Sequence, residues 1–534
     1  MKDKENKIFL TVSGIIFLFA FIGTICFVKS RLAFLLTSDD ASELILGQLL
    51  ANENTLLSKS WYYSTELRLV NTQIFYAFFF KIFHNWHRVR IASYVCLYLV
   101  MLASYYFACK ALHIKRYFLI TAALLVIPFS EDYFLYVLKG AYYIPHIAIT
   151  FFTLGLCEFY VSEEREKRQK LYLLAALSAS ILAGMGGARQ VIILYLPLLA
   201  AAILLAKGRM SIADEKVHYN LDQGERKYIL FAVLSFAGAA LGYIINTKFL
   251  SRIYTFQVWD AISFTGFDLS KLSTIINGFL SSYGYQSGNI FSSALLYNLL
   301  CLCWLSLTFY ACLHILKNRT TVKPAYYRMA LFTISAFVLF ILLYMFTSLS
   351  YKNRYNLPII ILSIPMIAIF FRNIRLKVVI NYAAITIFVL LVACSGYVFY
   401  KEESKVDITA EFRSIVAALE NEEYTEGYST FWLSNVLTEL SNGDIEVWHW
   451  KSSGSDGHIA IDSIDDTDDW LQPKSHDDTH PEGRLFLLFS TTEWANNPWI
   501  ENLSTEHIIY QSDNYIAIGY ENYDTLQNDI MQQQ

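Results

Sequence analysis

The stretch IFLTVSGIIFLFAFIGTICFVKSRLAFLLTSDDASELILGQLL, residues 8–50, decides how the rest of the chain is read. Its first half, 8–28, is an uncharged apolar run of the ~20 residues that a helix needs to cross a bilayer. It is too long for the core of a secretory signal and has no small-residue cleavage site, so it reads as a retained membrane helix. The second half places two adjacent acids, Asp39 and Asp40, where a helix-like pattern begins just beyond the membrane. A carboxylate pair at that point is either a helix cap or the centre of a reaction. The choice turns on which face it occupies and what else gathers there.

Composition extends the membrane reading to most of the chain. Of 534 residues 55% are hydrophobic and 16% aromatic, and only 16% are charged, the profile of a polytopic membrane protein. The net charge of −4 hides an asymmetry, because residues 401–534 hold 27 of the 46 acids and only six of the 42 bases. A basic membrane portion, 1–400, is therefore followed by an acidic soluble domain, 401–534. All eight cysteines lie in apolar segments at no zinc-like spacing, so neither a disulfide framework nor a zinc site is expected. No nucleic-acid partner is expected either.

Spans are predicted near 8–28, 89–109, 115–130, 142–161, 171–188, 190–206, 228–247, 291–314, 329–348, 357–371 and 378–400, about eleven in all. NTQIFYAFFFKIF (71–83) is apolar but too short to cross, and is expected to lie in the interface or re-enter. With the N-terminus inside, the inner segments hold 22 of the 42 Lys and Arg, as the positive-inside rule requires. The first outer loop is then 29–88, and the acidic domain lies outside. The expectation is a multi-pass plasma-membrane protein with a cytoplasmic N-terminus and an extracytoplasmic C-terminal domain. Strand-like runs in that domain, YSTFWL, IEVWHW, RLFLLF, HIIYQ and YIAIGY, follow a helical pattern at 408–420, which predicts an α/β or α+β fold.

This orientation collects the chemistry-bearing residues on one face. Asp39 and Asp40 lie there, followed by WYYSTELRLVNTQ (61–73) with Arg68. Glu131 and Asp132 in PFSEDYFLY, Arg189 in the MGGARQ turn, and Lys352, Arg354 and Tyr355 in YKNRYNLP complete the set. Thr37 or Ser38 can cap the helix, with an acid in its first turn favoured by the dipole. A second carboxylate exceeds what a cap requires. The pair can instead take a proton from an acceptor hydroxyl, or hold a divalent cation such as Mg or Mn, with Asp132 adding an oxygen ligand. Arg189 sits between two apolar segments with almost no loop, where a charge is costly and an anionic partner is expected. The bland alternative is snorkelling to headgroups. Arg354 and Lys352 repeat the theme, and a guanidinium fork suits a lipid phosphate. The acidic run DSIDDTDDW (462–470) lacks the glycine and terminal glutamate of a calcium loop and reads as a solvated surface loop. NLS (502–504) is a glycosylation sequon by pattern.

In this layout the chain resembles the GT-C superfamily of polytopic glycosyltransferases, and within it the family 39-like and aminoarabinose-transferase-like members. Ser38-Asp39-Asp40 through Leu49-Leu50 resembles the acidic pair that follows the family's first span. Glu131 or Asp132 matches an acid of the next outer loop. Gly187-Ala188-Arg189 falls where some relatives carry a basic residue on the donor phosphate, and Arg354-Tyr355-Asn356-Leu357-Pro358 looks like the family's Arg-Tyr-x-x-Pro segment. The acidic pair stands one position off the usual distance to Leu-Leu, which leaves either aspartate as the match. The C-terminal domain matches no motif of the family.

The resemblance implies an inverting glycosyltransferase that takes a sugar from a polyprenyl-phosphate-linked donor to an extracytoplasmic glycan, lipid or protein acceptor. Asp39 or Asp40 would be the base, with Arg189, Lys352, Arg354, Tyr355, Arg68 and Glu131 binding substrate. No glycine-rich phosphate loop lies on the inner face, in keeping with a donor already carried by lipid. The rival readings are a transporter or flippase, or a polymerase, of lipid-linked glycans. Transporters keep ionisable residues near the midplane of repeated, broken helices, and no repeat is visible here.

Overall fold

The structure, a computed structural model, describes residues 2–65, 67, 69–213, 216–256, 263–287, 294–373, 378–453, 458–459, 467–501, 503, 505 and 507–531. Arg68, most of the 462–470 run and part of the 502–504 sequon lie outside the described residues.

The first helix, α1 (Lys2–Arg31), contains the opening apolar run and ends on Lys29 and Arg31. Ile8, Leu10, Ile15, Leu18 and Phe19 on it are exposed. An apolar stripe of that length costs ~25 cal/mol per Å² in water, so it belongs against lipid. Nine helices among the described residues are long and apolar enough to cross a membrane: 7–34, 86–111, 144–162, 188–207, 223–252, 295–317, 324–346, 353–373 and 385–403. This is a multi-pass membrane protein.

Two of the eleven expected spans fall outside that set. The 115–130 segment is helical mainly over Phe118–Leu125, because the approach to Pro128 breaks the ladder. The 171–188 segment does form a 20-residue helix, Glu166–Met185, but its first turn is the charged EKRQK. This helix packs against Gln223–Ile244 through small residues. A Cβ on Gly184 would stand 2.0 Å from the Ala239 carbonyl oxygen, and one on Gly242 would stand 2.1 Å from that of Ile181. Such close backbone approach replaces the hydrophobic drive that lipid cannot supply.

Beyond α1, a short turn leads into α2 (Ser38–Glu53), which carries the acidic pair. The 71–83 segment folds as α3 (Gln73–Phe80), eight residues packed on α2. Gly47 permits that contact, since a Cβ there would meet the Tyr76 Cβ at 2.4 Å. Next, α4 (Trp86–Ala111) enters the membrane.

After the last apolar helix, Val378–Glu403, comes an α/β domain built on one five-stranded mixed sheet. Its strand order is 508–511, 515–520, 485–490, 426–430, 446–450; the first three are antiparallel, 426–430 joins 485–490 in parallel, and 446–450 joins 426–430 in parallel. The expected strand YSTFWL divides. Glu426–Thr430 is a strand, whereas Phe431–Leu440 is a helix whose Leu433, Val436 and Leu437 recur at helical spacing and are buried.

That helix docks the domain onto the membrane portion. The Ser38 hydroxyl donates to the Phe431 carbonyl, and the Trp86 N–H donates to Asn442 Oδ1 at 2.8 Å. Arg90 of α4 grips Glu439 with both arms of its guanidinium, the Nε bond at 2.6 Å, and both residues are buried. The remaining Arg90 nitrogen capacity goes to the Asp40 carbonyl at 2.9 Å and to the Tyr76 and Tyr94 hydroxyls, each at 3.3 Å.

Candidate functional site

Between the domain and the membrane helices lies a cavity of about 480 Å³. Asp39, Glu43, Arg189, Lys352, Arg354 and Tyr355 line it, with Tyr136, Tyr142 and Tyr143. Five residues singled out from the sequence thus share one space, although they come from α2, the first turn of helix 188–207, and the start of helix 353–373. A second, more apolar pocket of about 190 Å³ adjoins it and shares Thr65, Tyr143, Arg189 and Tyr355. Its other walls are Ile192, Ile193, Phe340, Leu343 and Pro358, from helices that reach into the membrane.

The two aspartates have separate surroundings. Asp40 is buried at 3% exposure. Its Oδ2 accepts from the Thr37 N–H at 3.1 Å and the Thr37 hydroxyl at 2.7 Å, which caps α2. The same oxygen meets Lys139 Nζ at 3.1 Å, and Oδ1 accepts from the Tyr142 hydroxyl at 2.8 Å. Burial pushes the Asp40 pKa up, but Lys139, Thr37, Arg90 and Tyr142 outweigh it and hold the group below its ordinary value. Asp39 instead lines the cavity. Glu43, one helical turn on, lines it too and accepts from the Thr72 hydroxyl at 2.9 Å.

The cations are held by aromatic faces. Arg189 lies 5.1 Å from the Tyr143 ring centre and 5.6 Å from that of Tyr355. Arg354 lies 5.5 Å from the Tyr355 ring and 5.1 Å from the Tyr136 ring, and donates to the Tyr136 hydroxyl at 3.1 Å. Such faces orient a guanidinium while leaving donors for an anion.

Glu131 and Asp132 separate as well. Ser130 caps their short helix. Glu131 opens into another cavity, about 820 Å³, with Asn353, Glu402 and Glu403. Asp132 is partly buried beside Asn353 and Arg354; burial and Glu131 push its pKa up to about 6.

Among the described residues, no three His, Cys, Asp or Glu side chains lie close enough to hold a metal ion. The Asp40 oxygens are engaged by Lys139, Thr37 and Tyr142, and Asp132, on its own short helix, does not line the cavity that Asp39 lines. The expected Asp39–Asp40–Asp132 ligand set for Mg or Mn is therefore not assembled, and no step is derived through a metal.

Sequence reasoning placed Glu43 on the outer face with the aspartate pair but gave it no role, and passed over Lys139, Tyr142 and Trp470. Glu43 follows Asp39 by four residues on the same helix face, and Lys139 interrupts an apolar run in VLKGAYY. Both were readable signals. Lys139 also ends a π-helical stretch, Phe134–Lys139, and another such stretch, Val191–Tyr195, begins two residues after Arg189. Such irregular turns gather at functional sites.

The sequence matches no protein-family model and no curated protein. Among solved structures it is similar to ArnT from Cupriavidus metallidurans. Against the apo form the TM-score is 0.53 at 10% identity, covering 97% of this chain and 98% of ArnT. Against ArnT bound to undecaprenyl phosphate it is 0.51 at 11% identity, covering 96% and 97%. The fold is that of ArnT. The resemblance to GT-C glycosyltransferases drawn from the sequence thus holds at the level of architecture, along the whole length of ArnT. An oligosaccharyltransferase from Archaeoglobus fulgidus is also similar, with a TM-score of 0.47 at 12% identity; this chain spans 62% of its length.

Proposed function

We propose that this protein is a membrane glycosyltransferase that moves a sugar from a polyprenyl-phosphate-linked donor to a hydroxyl acceptor on the outer face, with the N-terminus cytoplasmic. One observation carries the reading: a carboxylate, Asp39, and three cations, Arg189, Lys352 and Arg354, line one cavity that adjoins an apolar pocket. The apolar pocket suits the first isoprene units, and the cations suit the phosphate beside them. The undecaprenyl phosphate bound by ArnT, which shares the fold, is a ligand of this class.

Asp39 takes the proton of the acceptor hydroxyl. The new bond forms from that oxygen to the anomeric carbon while the bond to the phosphate oxygen breaks, so the configuration inverts. The electron pair leaves with the polyprenyl phosphate, whose charge rises from one towards two. Arg189, Lys352 and Arg354 therefore stabilise the transition state more than the bound donor, which is what accelerates a reaction. Asp40, engaged by Lys139 and the cap, positions the α2 terminus from which Asp39 reaches the cavity.

The test uses the purified protein in lipid with a panel of polyprenyl-phosphate sugars and follows release of polyprenyl phosphate. Wild type releases it, and Asp39→Asn releases it ~10²-fold more slowly or worse, the usual weight of a general base. No release from any donor, with labelled lipid-linked glycan crossing the bilayer instead, overturns the reading in favour of transport.

A further inference from the structure

The acidic run expected to be a solvated loop does not behave as one where the structure describes it. Thr467 and Asp468 pair with strand 446–450 of the soluble domain, the Asp468 N–H donating to the His449 carbonyl at 2.8 Å, and residues 471–474 then lie along the first outer loop. The Leu471 N–H donates to the Tyr62 carbonyl, the Tyr62 N–H to that of Gln472, and the Lys474 N–H to that of Ser60, all at 2.9 Å. Tyr62–Tyr63 pairs in turn with Thr255–Phe256, and Lys474 Nζ donates to Thr255 Oγ1 at 2.7 Å. Side chains fix the strap from behind. Gln472 Oε1 accepts from the His449 N–H at 3.1 Å, and Thr467 donates to Asp477 at 2.6 Å.

At the turn into this pairing Leu471 adopts φ +52°, a left-handed conformation that a branched side chain seldom takes. Backbone strain of this kind persists where surrounding contacts impose it, and it clusters at ligand sites. Its effect here is specific: Trp470 and Leu471 become the soluble domain's contribution to the wall of the 480 Å³ cavity. Leu471 also closes a small recess with Ser42, Glu43 and Ser64, which puts the strap on the carboxylate side of the cavity.

Resting on the glycosyltransferase reading, we infer that the acceptor is itself a glycan, and that Trp470 is the platform on which its sugar ring packs beside Asp39. One face of a pyranose is a patch of C–H bonds with slight positive charge, and an indole face is broad, apolar and negative. Among the described residues no other tryptophan lines this cavity. The polar rim that would orient the ring's hydroxyls is at hand in Ser64, Thr65 and Glu43. The soluble domain is on this view part of the substrate site and sets which glycan is accepted.

Saturation-transfer NMR on the full-length protein in nanodiscs, with undecaprenyl phosphate present, tests this without requiring turnover. The probes are the methyl glycosides of common hexoses. Transfer is expected on the protons of one ring face for at least one glycoside, to be lost in Trp470→Ala and largely kept in Trp470→Phe. Undecaprenyl phosphate affinity should be unchanged in both variants, which shows that the fold and the cation side survive. Where an acceptor is in hand, Trp470→Ala raises its KM about tenfold and leaves the KM for the donor alone. Transfer to no glycoside, equal transfer in Trp470→Ala, or a changed affinity for undecaprenyl phosphate overturns the inference. Loss of turnover in the donor panel with one-faced transfer intact would strike the reaction and leave the sugar platform standing.

Discussion

The Arg90–Glu439 pair joins the soluble domain to the membrane portion, and its removal has a calculable result. Both side chains are within 5% of full burial, so deleting one leaves the other charged and dry. Breaking a buried ion pair from one side costs about 3–5 kcal/mol. For Glu439→Leu the lower figure applies, because Arg90 keeps the Asp40 carbonyl at 2.9 Å and two tyrosine hydroxyls at 3.3 Å. Hydrogen exchange by mass spectrometry, on the full chain in lipid, reads this as local opening of the docked helix 431–440. A loss of about 3 kcal/mol is roughly a hundredfold faster exchange in the slow amides of that helix. Arg90→Met should do the same. The double variant should exchange no faster than either single one, since two apolar side chains then face each other. If the two single effects instead add to within ~0.5 kcal/mol, the residues are not coupled and the docking argument fails.

Asp40→Asn leaves Lys139 buried without its counter-charge and should lower the midpoint of thermal unfolding clearly more than Asp39→Asn does. Because its folded pKa is depressed, Asp40 contributes stability at neutral pH that is lost as pH falls through that lowered value, below 3.8; the variant should lack this acid limb. Asp132, raised to about 6, is charged at pH 7.5 and, on the proposed donor-binding role of Arg354, would compete with the phosphate for it. Asp132→Asn should therefore bind undecaprenyl phosphate several-fold more tightly than wild type at pH 7.5 and about equally at pH 5, measured by titration in lipid; a ratio independent of pH refutes this. Gly184→Val forces a side chain onto backbone 2.0 Å away and should sharply lower the thermal midpoint in detergent, whereas Gly23→Ala, with nothing within 4 Å, should leave it unchanged.

The membrane architecture was legible because lipid imposes a length and a polarity on every crossing, and an apolar run such as 8–28 has few other uses. Where the sequence misled, tertiary contacts were responsible. Pro128 cut short a segment of adequate hydropathy, and FWLSNVLTEL read as strand from its first three residues while its helical spacing shows only over ten. The candidate site divides in the same way. Asp39, Arg189 and Arg354 stood out because charge beside hydrocarbon is expensive. Locally only the Thr37 cap separates Asp40 from Asp39; the rest of the difference lies in Lys139 and Tyr142, about a hundred residues away. Trp470 was hidden more thoroughly, inside an acidic run whose composition resembles a solvated loop and whose docking depends on Ser60 and Tyr62.

The strap at 467–477 and the Glu439 anchor also set an order of events during synthesis. Asp39, Arg189 and Arg354 leave the ribosome early or midway and enter the membrane with their helices. Until the chain has been extended beyond residue 439, however, Arg90 has no Glu439, and until it has passed residue 474 the first outer loop has only Thr255–Phe256 to pair with at 62–63. Completion of the cavity is thus deferred until Trp470 and Leu471 have been made and docked. A chain stopped short of the strap would carry its charged residues without a finished pocket around them, so the docking of 467–477 is what closes the cavity wall.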